Sequence, residues 1–223
     1  VTSAAPLTPG TAATSAERPA RRRPRLAIVG SGAGSTAAAI LAAVRAGDLP
    51  VDVGVVVGNN SGAGVFEVAR AHGVPTAHLS RVTHPDPDAL DAAFLATLSE
   101  HGADLVVLAG YMRRLGPRVL AAYTGRVLNT HPALLPAYGG HGMYGDRVHA
   151  AVLADGVATT GASVHLVTAD YDEGPVVAQV SVPIEPGDDV DSLRDRVQAA
   201  EKQLLVDHLR EACSATDRER SPS

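Results

Sequence analysis

Only one cysteine, Cys213, occurs in the 223-residue chain. That excludes an internal disulfide and a Cys-rich zinc site, and it fits a reducing cytoplasm. Tryptophan is absent and aromatic residues make up 3% of the chain, too few for a stacking platform on single-stranded nucleic acid. No apolar run reaches the roughly 20 residues of a membrane span. Positive charge is scarce beyond the N-terminus. Residues 1–25 carry five Arg against one Glu, so +4 there leaves −9 on the rest of a chain whose net charge is −5. An acidic body argues against general nucleic-acid binding. The nine His form no close ligand cluster, so the sequence asks for no metal. What is present is ordinary for a soluble globular protein, 45% hydrophobic and 19% charged, and long enough for one full core.

Residues 1–25, rich in Ala, Thr, Ser, Pro and Arg without apolar periodicity, are expected to be a disordered tail. Residues 26–213 form the folded domain, and residues 214–223 are expected to be a disordered C-terminus. Residues 26–30 read as a buried strand. Ser31-Gly32-Ala33-Gly34-Ser35-Thr36 follows, then an Ala-rich helix to about Ala46. Strand, Gly-rich turn and helix together point backbone N–H groups and a helix dipole at an anion. Gly30, Gly32 and Ser35 approach the dinucleotide fingerprint, but Ser35 stands at the third glycine. The next strand, 51–57, ends in Gly58-Asn59-Asn60, with no acid for a ribose diol. The loop reads as a phosphate site or as a tight turn without a ligand.

A helix over 62–72, a strand over 75–79, a helix over 86–100, a strand over 104–110 and a strand from 126 continue the alternation. The fold class is therefore α/β, with a Rossmann-like, mostly parallel sheet flanked by helices. Strands over 161–167 and 176–184 form a C-terminal antiparallel hairpin, and a long terminal helix spans 189–211. Ligands of such sheets bind beyond the carboxyl ends of the strands. Gly32 to Thr36, Gly110 to Arg114 and Asn129 to His131 all fall at that rim.

Asn129 and His131 sit two apart at a strand end, so their side chains point the same way. An amide donates to a developing oxyanion, and an imidazole moves a proton near neutral pH. Pro132 and Pro136 stop the strand. In the acidic loop Asp170-Tyr171-Asp172-Glu173, one carboxylate against His131 would raise its pKa and hold its tautomer. An elevated His131 pKa would separate a catalytic pair from a non-catalytic one. His141 reads as a solvent-facing loop residue, and His165 as structural.

These residues carry a resemblance. The segments Ser31-Gly32-Ala33-Gly34-Ser35, Leu108-Ala109-Gly110-Tyr111-Met112-Arg113, Asn129-Thr130-His131-Pro132-Ala133-Leu134-Leu135-Pro136, Gly161-Ala162-Ser163-Val164-His165 and Asp172-Glu173-Gly174-Pro175 resemble the formyl-folate transferases. Among these they are most similar to the glycinamide ribonucleotide transformylases. The resemblance implies a small-molecule enzyme of purine biosynthesis that moves the formyl group of 10-formyltetrahydrofolate to the amine of phosphoribosylglycinamide. It implies that Asn129 and His131 stabilise the tetrahedral intermediate, with Asp172 keeping His131 cationic. It places the ribonucleotide on Gly32, Gly34, Ser35, Thr36, Gly110, Met112, Pro132, Gln198 and Glu201. It places the folate on Met112, Arg113, Arg114, Leu115, Asn129, Asp170 and Asp172. It needs no metal, nucleic acid or membrane, and it fits a cytoplasmic monomer or homodimer. Thr36 stands where better-known members have Asn, and Asn60 where they often have a cation. A formyl-folate enzyme with another small amine as acceptor, an amino sugar or a specialised metabolite, is the rival reading. A non-catalytic nucleotide-binding module is the rival from another class.

Overall fold

Short Val-, Leu- and Ile-rich runs separated by Ala-rich and amphipathic stretches lay down the sheet and its covering helices. The computed structural model describes residues 22–219, with side chains to residue 213. The elements are β1 (Arg25–Gly30), α1 (Ser35–Ala46), β2 (Asp52–Gly58), α2 (Val65–Ala71), β3 (Thr76–His78), α3 (Pro87–Glu100), β4 (Leu105–Leu108), α4 (Pro117–Ala122), β5 (Val127–His131), α5 (Asp146–Ala154), β6 (Thr159–Leu166), β7 (Val176–Pro183) and α6 (Val190–Glu219). They form one seven-stranded sheet in the order β3-β2-β1-β4-β5-β6-β7. Pairings from β3 through β5 are parallel, and β6 and β7 join antiparallel. The expected α/β class, mostly parallel sheet, C-terminal hairpin and long terminal helix are therefore all present.

Alternation along the parallel strands builds two cores. Leu26 and Ile28 of β1, with Val56, Val107 and Leu128, pack beneath Ile40, Phe66, Leu205 and Leu209 of α1, α2 and α6. Ala27 and Val29, with Val55, Val57, Val106 and Val127, pack on the other face beneath Phe94, Leu98 and Val119 of α3 and α4. Each fully buried Leu or Ile contributes roughly 1.5–3 kcal/mol. A third cluster, including Ala133, Val148, Val152, Leu193 and Val197, fills the space under β6, β7, α5 and α6.

Most element ends shift by one to three residues from the sequence reading, and three differences are informative. β1 begins at Arg25, inside the expected tail, because the Arg25 N–H and the Arg22 guanidinium both donate to Asp104, at 2.7 and 2.8 Å. Residues 1–21 lie outside the described residues. α6 continues to Glu219 rather than ending at Glu211. Residues 212–219 contain neither Gly nor Pro, so nothing in the backbone breaks the helix. Residues 220–223 of the expected C-terminal tail lie outside the described residues. Finally, α4 was not anticipated. Its first turn is capped from another helix: Asp91 of α3 accepts from the Arg118 and Val119 N–H groups at 2.8 and 3.2 Å.

The strand order reverses between β1 and β4, which opens a crevice at their carboxyl ends. Ser31 ties that rim together. Its N–H donates to the Gly110 carbonyl at 3.2 Å. Its hydroxyl donates to Asn59 Oδ1 at 2.7 Å and accepts from the Met112 N–H at 3.0 Å.

Candidate active site

The rim of β5 is polar because antiparallel β6 pairs with it through to its last residue. Asn129 lies opposite His165, and His131 opposite Ser163. Asn129 and His131 are thus the end of the strand itself, held in place by ladder bonds. His131 is 3% exposed and His165 2%. Asp172 reaches both rings from the β6–β7 loop: Oδ2 lies 3.4 Å from His131 Nδ1, and Oδ1 lies 3.4 Å from His165 Nε2. The Gly140 N–H also donates to Asp172 Oδ2, at 3.1 Å. Of the three acids in that loop, Asp172 is the one placed against His131.

Hydrogen bonds place one proton on each ring. His165 Nδ1–H donates to the Leu166 carbonyl at 3.0 Å, and its Nε2 lies 3.1 Å from Asn129 Nδ2 beside Asp172. At most one amide N–H of Asn129 is used there, and its second remains for another acceptor. His131 Nε2–H donates to the Tyr138 carbonyl at 2.7 Å, leaving Nδ1 to face Asp172. His165 is the residue the sequence reading missed. It is part of the site, because β6 places it directly across from Asn129.

The rise in the His131 pKa expected from Asp172 is opposed by burial. Burial pushes the His131 pKa below its ordinary value and outweighs the Asp172 carboxylate and the Tyr138 carbonyl, while His165 pushes the same way as burial. Asp172 stands at Nδ1 and works against that depression. Asp172 itself is held below the usual carboxylate range: burial works against its charge, but the two His and the Gly140 N–H outweigh it. A proton arriving on Nδ1 would complete an ion pair already in place.

Beside this cluster, a pocket is lined by Arg113, Arg114, Leu115, Asn129, Asp170 and Asp172, together with Leu108, Tyr111, Leu120 and residues 167–169. The predicted folate residues converge here, except Met112. The Met112 side chain is 52% exposed and does not line the pocket; its backbone serves as the tie to Ser31. Arg114 stacks over Tyr171, 4.2 Å from the ring centre, and His141 meets the same ring edge-on. Burial pushes the Tyr111 phenol up to about 12, so it stays neutral.

The remaining predicted residues lie in the turn into α1, just past β4 and β5, and on α6. Gly34 adopts φ 85 and opens α1, whose first turn has no side-chain cap and no acid, so its N–H groups point outward at Ser35 and Thr36. Gly32 and Gly110 flank this turn, Gly110 with φ 67. Gln198 and Glu201 are half-buried on α6, and Pro132 follows His131. Glu201 is engaged already: the Thr130 hydroxyl donates to its Oε1 at 2.6 Å. Among the described residues, no three His, Cys, Asp or Glu side chains are grouped as a metal ion would need, and no helix is long and apolar enough to cross a membrane.

The pattern of the formyl transferase family matches residues 24–209, which spans the sheet, the pocket and the polar rim of β5. The chain belongs to the formyl transferase family. A phosphoribosylglycinamide formyltransferase of Mycobacterium tuberculosis is 45% identical over 183 residues, covering 82% of this chain and 81% of that relative. The crystal structure of glycinamide ribonucleotide transformylase 1 from Symbiobacterium toebii superposes with a TM-score of 0.80 at 38% identity, covering 86% of this chain and 89% of that one. A formyltetrahydrofolate deformylase from Pseudomonas syringae has a TM-score of 0.78 at 26% identity, and 62% of its chain is covered. This formyl transferase is thus more similar in sequence to the transferases than to that hydrolase.

Proposed function

We propose that this formyl transferase moves the formyl group of 10-formyltetrahydrofolate to the amine of phosphoribosylglycinamide, a step of purine biosynthesis. The observation that carries the reading is the Asn129–His131–Asp172–His165 cluster. It opens onto the Arg113–Leu115 pocket through Asn129, His165 and Asp172, at the same carboxyl-end rim of the sheet from which the turn into α1 departs. The pocket receives the folate and the α1 turn the phosphate, with Gln198 and Glu201 toward the ribose. The amine attacks the formyl carbon, and the carbonyl oxygen gains negative charge. The free N–H of Asn129 donates to that oxyanion. His131 takes up a proton released from the amine and holds it at Nδ1 against Asp172. It then gives it to N10 as the C–N10 bond breaks, so formylated product and tetrahydrofolate leave and no net proton is exchanged. The Tyr138 carbonyl and Asp172 orient the ring throughout. We take residues 26–213 as the catalytic domain, acting in the cytoplasm on small molecules.

The test is to mix purified protein with 10-formyltetrahydrofolate or its 5,8-dideaza analogue, with and without the ribonucleotide, and follow loss of the formyl group by absorbance. His131→Ala runs alongside. Turnover that needs the ribonucleotide and disappears in the variant is the expected result. Formyl loss without an acceptor would make the protein a hydrolase. Folate binding with no turnover would move the acceptor to another amine.

A further inference from the structure

The strand that carries Asn129 and His131 turns one polar side chain the other way. Thr130 lies between them. The alternation of β5 sends it to the face of Leu128, which is the face covered by α1 and α6. There its hydroxyl donates to Glu201 Oε1 at 2.6 Å, a length typical of a hydrogen bond to a charged acceptor. The bond joins the rim of the sheet to the middle of α6. Among the described residues no donor meets Oε2 of the same carboxylate. A β-branched residue in a strand has little χ1 freedom, so the donor is fixed and the carboxylate with it. We infer that Thr130 is a positioning residue that fixes the Glu201 carboxylate so that Oε2 accepts from a vicinal diol, setting a preference for a ribose over a 2′-deoxyribose acceptor.

The inference rests on the reading that Glu201 meets the ribose of the substrate. The chemistry favours a diol. A carboxylate with one oxygen already satisfied presents the other as a directed acceptor, and a site built to accept a hydroxyl discriminates against the analogue that lacks it. Burial pushes the Glu201 carboxyl above its ordinary value, and the Thr130 hydroxyl opposes this. Without that donor Glu201 shifts toward the neutral acid, a poorer acceptor.

Steady-state kcat and KM are measured for the ribonucleotide and its 2′-deoxyribose analogue with wild type, Thr130→Val and Thr130→Ser. Thr130→Val keeps the shape and removes the donor. It is expected to raise KM for the ribonucleotide about tenfold. It should leave kcat and the folate KM within about twofold and erase most of the preference for ribose over deoxyribose. Thr130→Ser keeps the donor and the preference. Thermal melting checks the fold, and Thr130→Ala replaces Thr130→Val if the latter does not fold. Equal losses on both acceptors, an unchanged ribonucleotide KM, or a parallel fall in kcat and in folate affinity would overturn the assignment and leave Thr130 a structural residue. Wild type that turns over neither acceptor would instead overturn the transformylase reading, and this inference with it.

Discussion

At the residue scale the site is a set of polar groups on which burial and neighbouring charges act against each other. Asn129 is the donor left with a free N–H, so Asn129→Ala is expected to lower kcat by about 10²–10³, measured under saturating folate and ribonucleotide. Asp172 is the carboxylate that opposes burial at His131. Asp172→Asn should therefore move the His131 pKa further down, as read by an imidazole NMR titration; an unchanged or raised pKa would show that the Asp172 charge does not favour the protonated ring. The substitution is a clean one for the backbone. Asp172 has φ 57, in the left-handed region that Asn tolerates as well as Asp does. Much of the cluster was legible in the sequence, because Asn129 and His131 at i and i+2 fix their own mutual orientation. His165 was not legible as a partner. Its place opposite Asn129 depends on the antiparallel register of β5 and β6, which no local pattern states. Nor was the depression of His131, because its burial depends on how the β6–β7 loop and the segment at Tyr138 meet it in the fold.

At the element scale the long, strongly patterned pieces were readable and the short one was not. The run from Leu105 to Leu108 and the Ala-rich α1 announce themselves by composition. The six-residue α4 has no room for a helical period, and it stands because a neighbour caps it. Asp91 is 5% exposed and satisfies the first N–H groups of α4 from α3. Asp91→Ala leaves those N–H groups without a partner. The expected cost is about 1–3 kcal/mol, a fall of several degrees in Tm for a chain of this size. Because Leu115, just before α4, and Leu120, within it, line the pocket, the folate KM should rise as well. Gly116→Ala should be destabilising for the same reason from the other side, since a Cβ there runs into the Asp91 carboxyl group. Thermal melts of the two variants check both. A variant of Asp91 with wild-type Tm would mean that solvent replaces the cap at no cost.

At the scale of the whole molecule, the buried imidazoles link stability to pH. His131, His149 and His208 all have pKa values pushed below the ordinary 6.5, in each case chiefly by burial. For His149, Asp146 opposes burial while Arg194 and His131 reinforce it, and among the described residues its buried Nδ1 has no hydrogen-bond partner. An unfolded chain takes up protons on these rings near pH 6.5, and the folded chain does not. Folding stability is therefore fully present above about pH 6.5 and falls as the pH drops through that value toward the depressed folded pKa values. Asp172 acts in a separate window. Its folded pKa lies below the ordinary 3.8, so its contribution is present above that value and is lost only as the pH falls below it. Urea melts between pH 8 and 5 should thus show a plateau down to about pH 7 and a decline beneath 6.5, before Asp172 is protonated. His149→Leu removes one of the three rings and its unpartnered nitrogen, so its decline should be shallower than that of wild type. Equal slopes in the two proteins would mean that His149 is protonated in the folded state despite its burial.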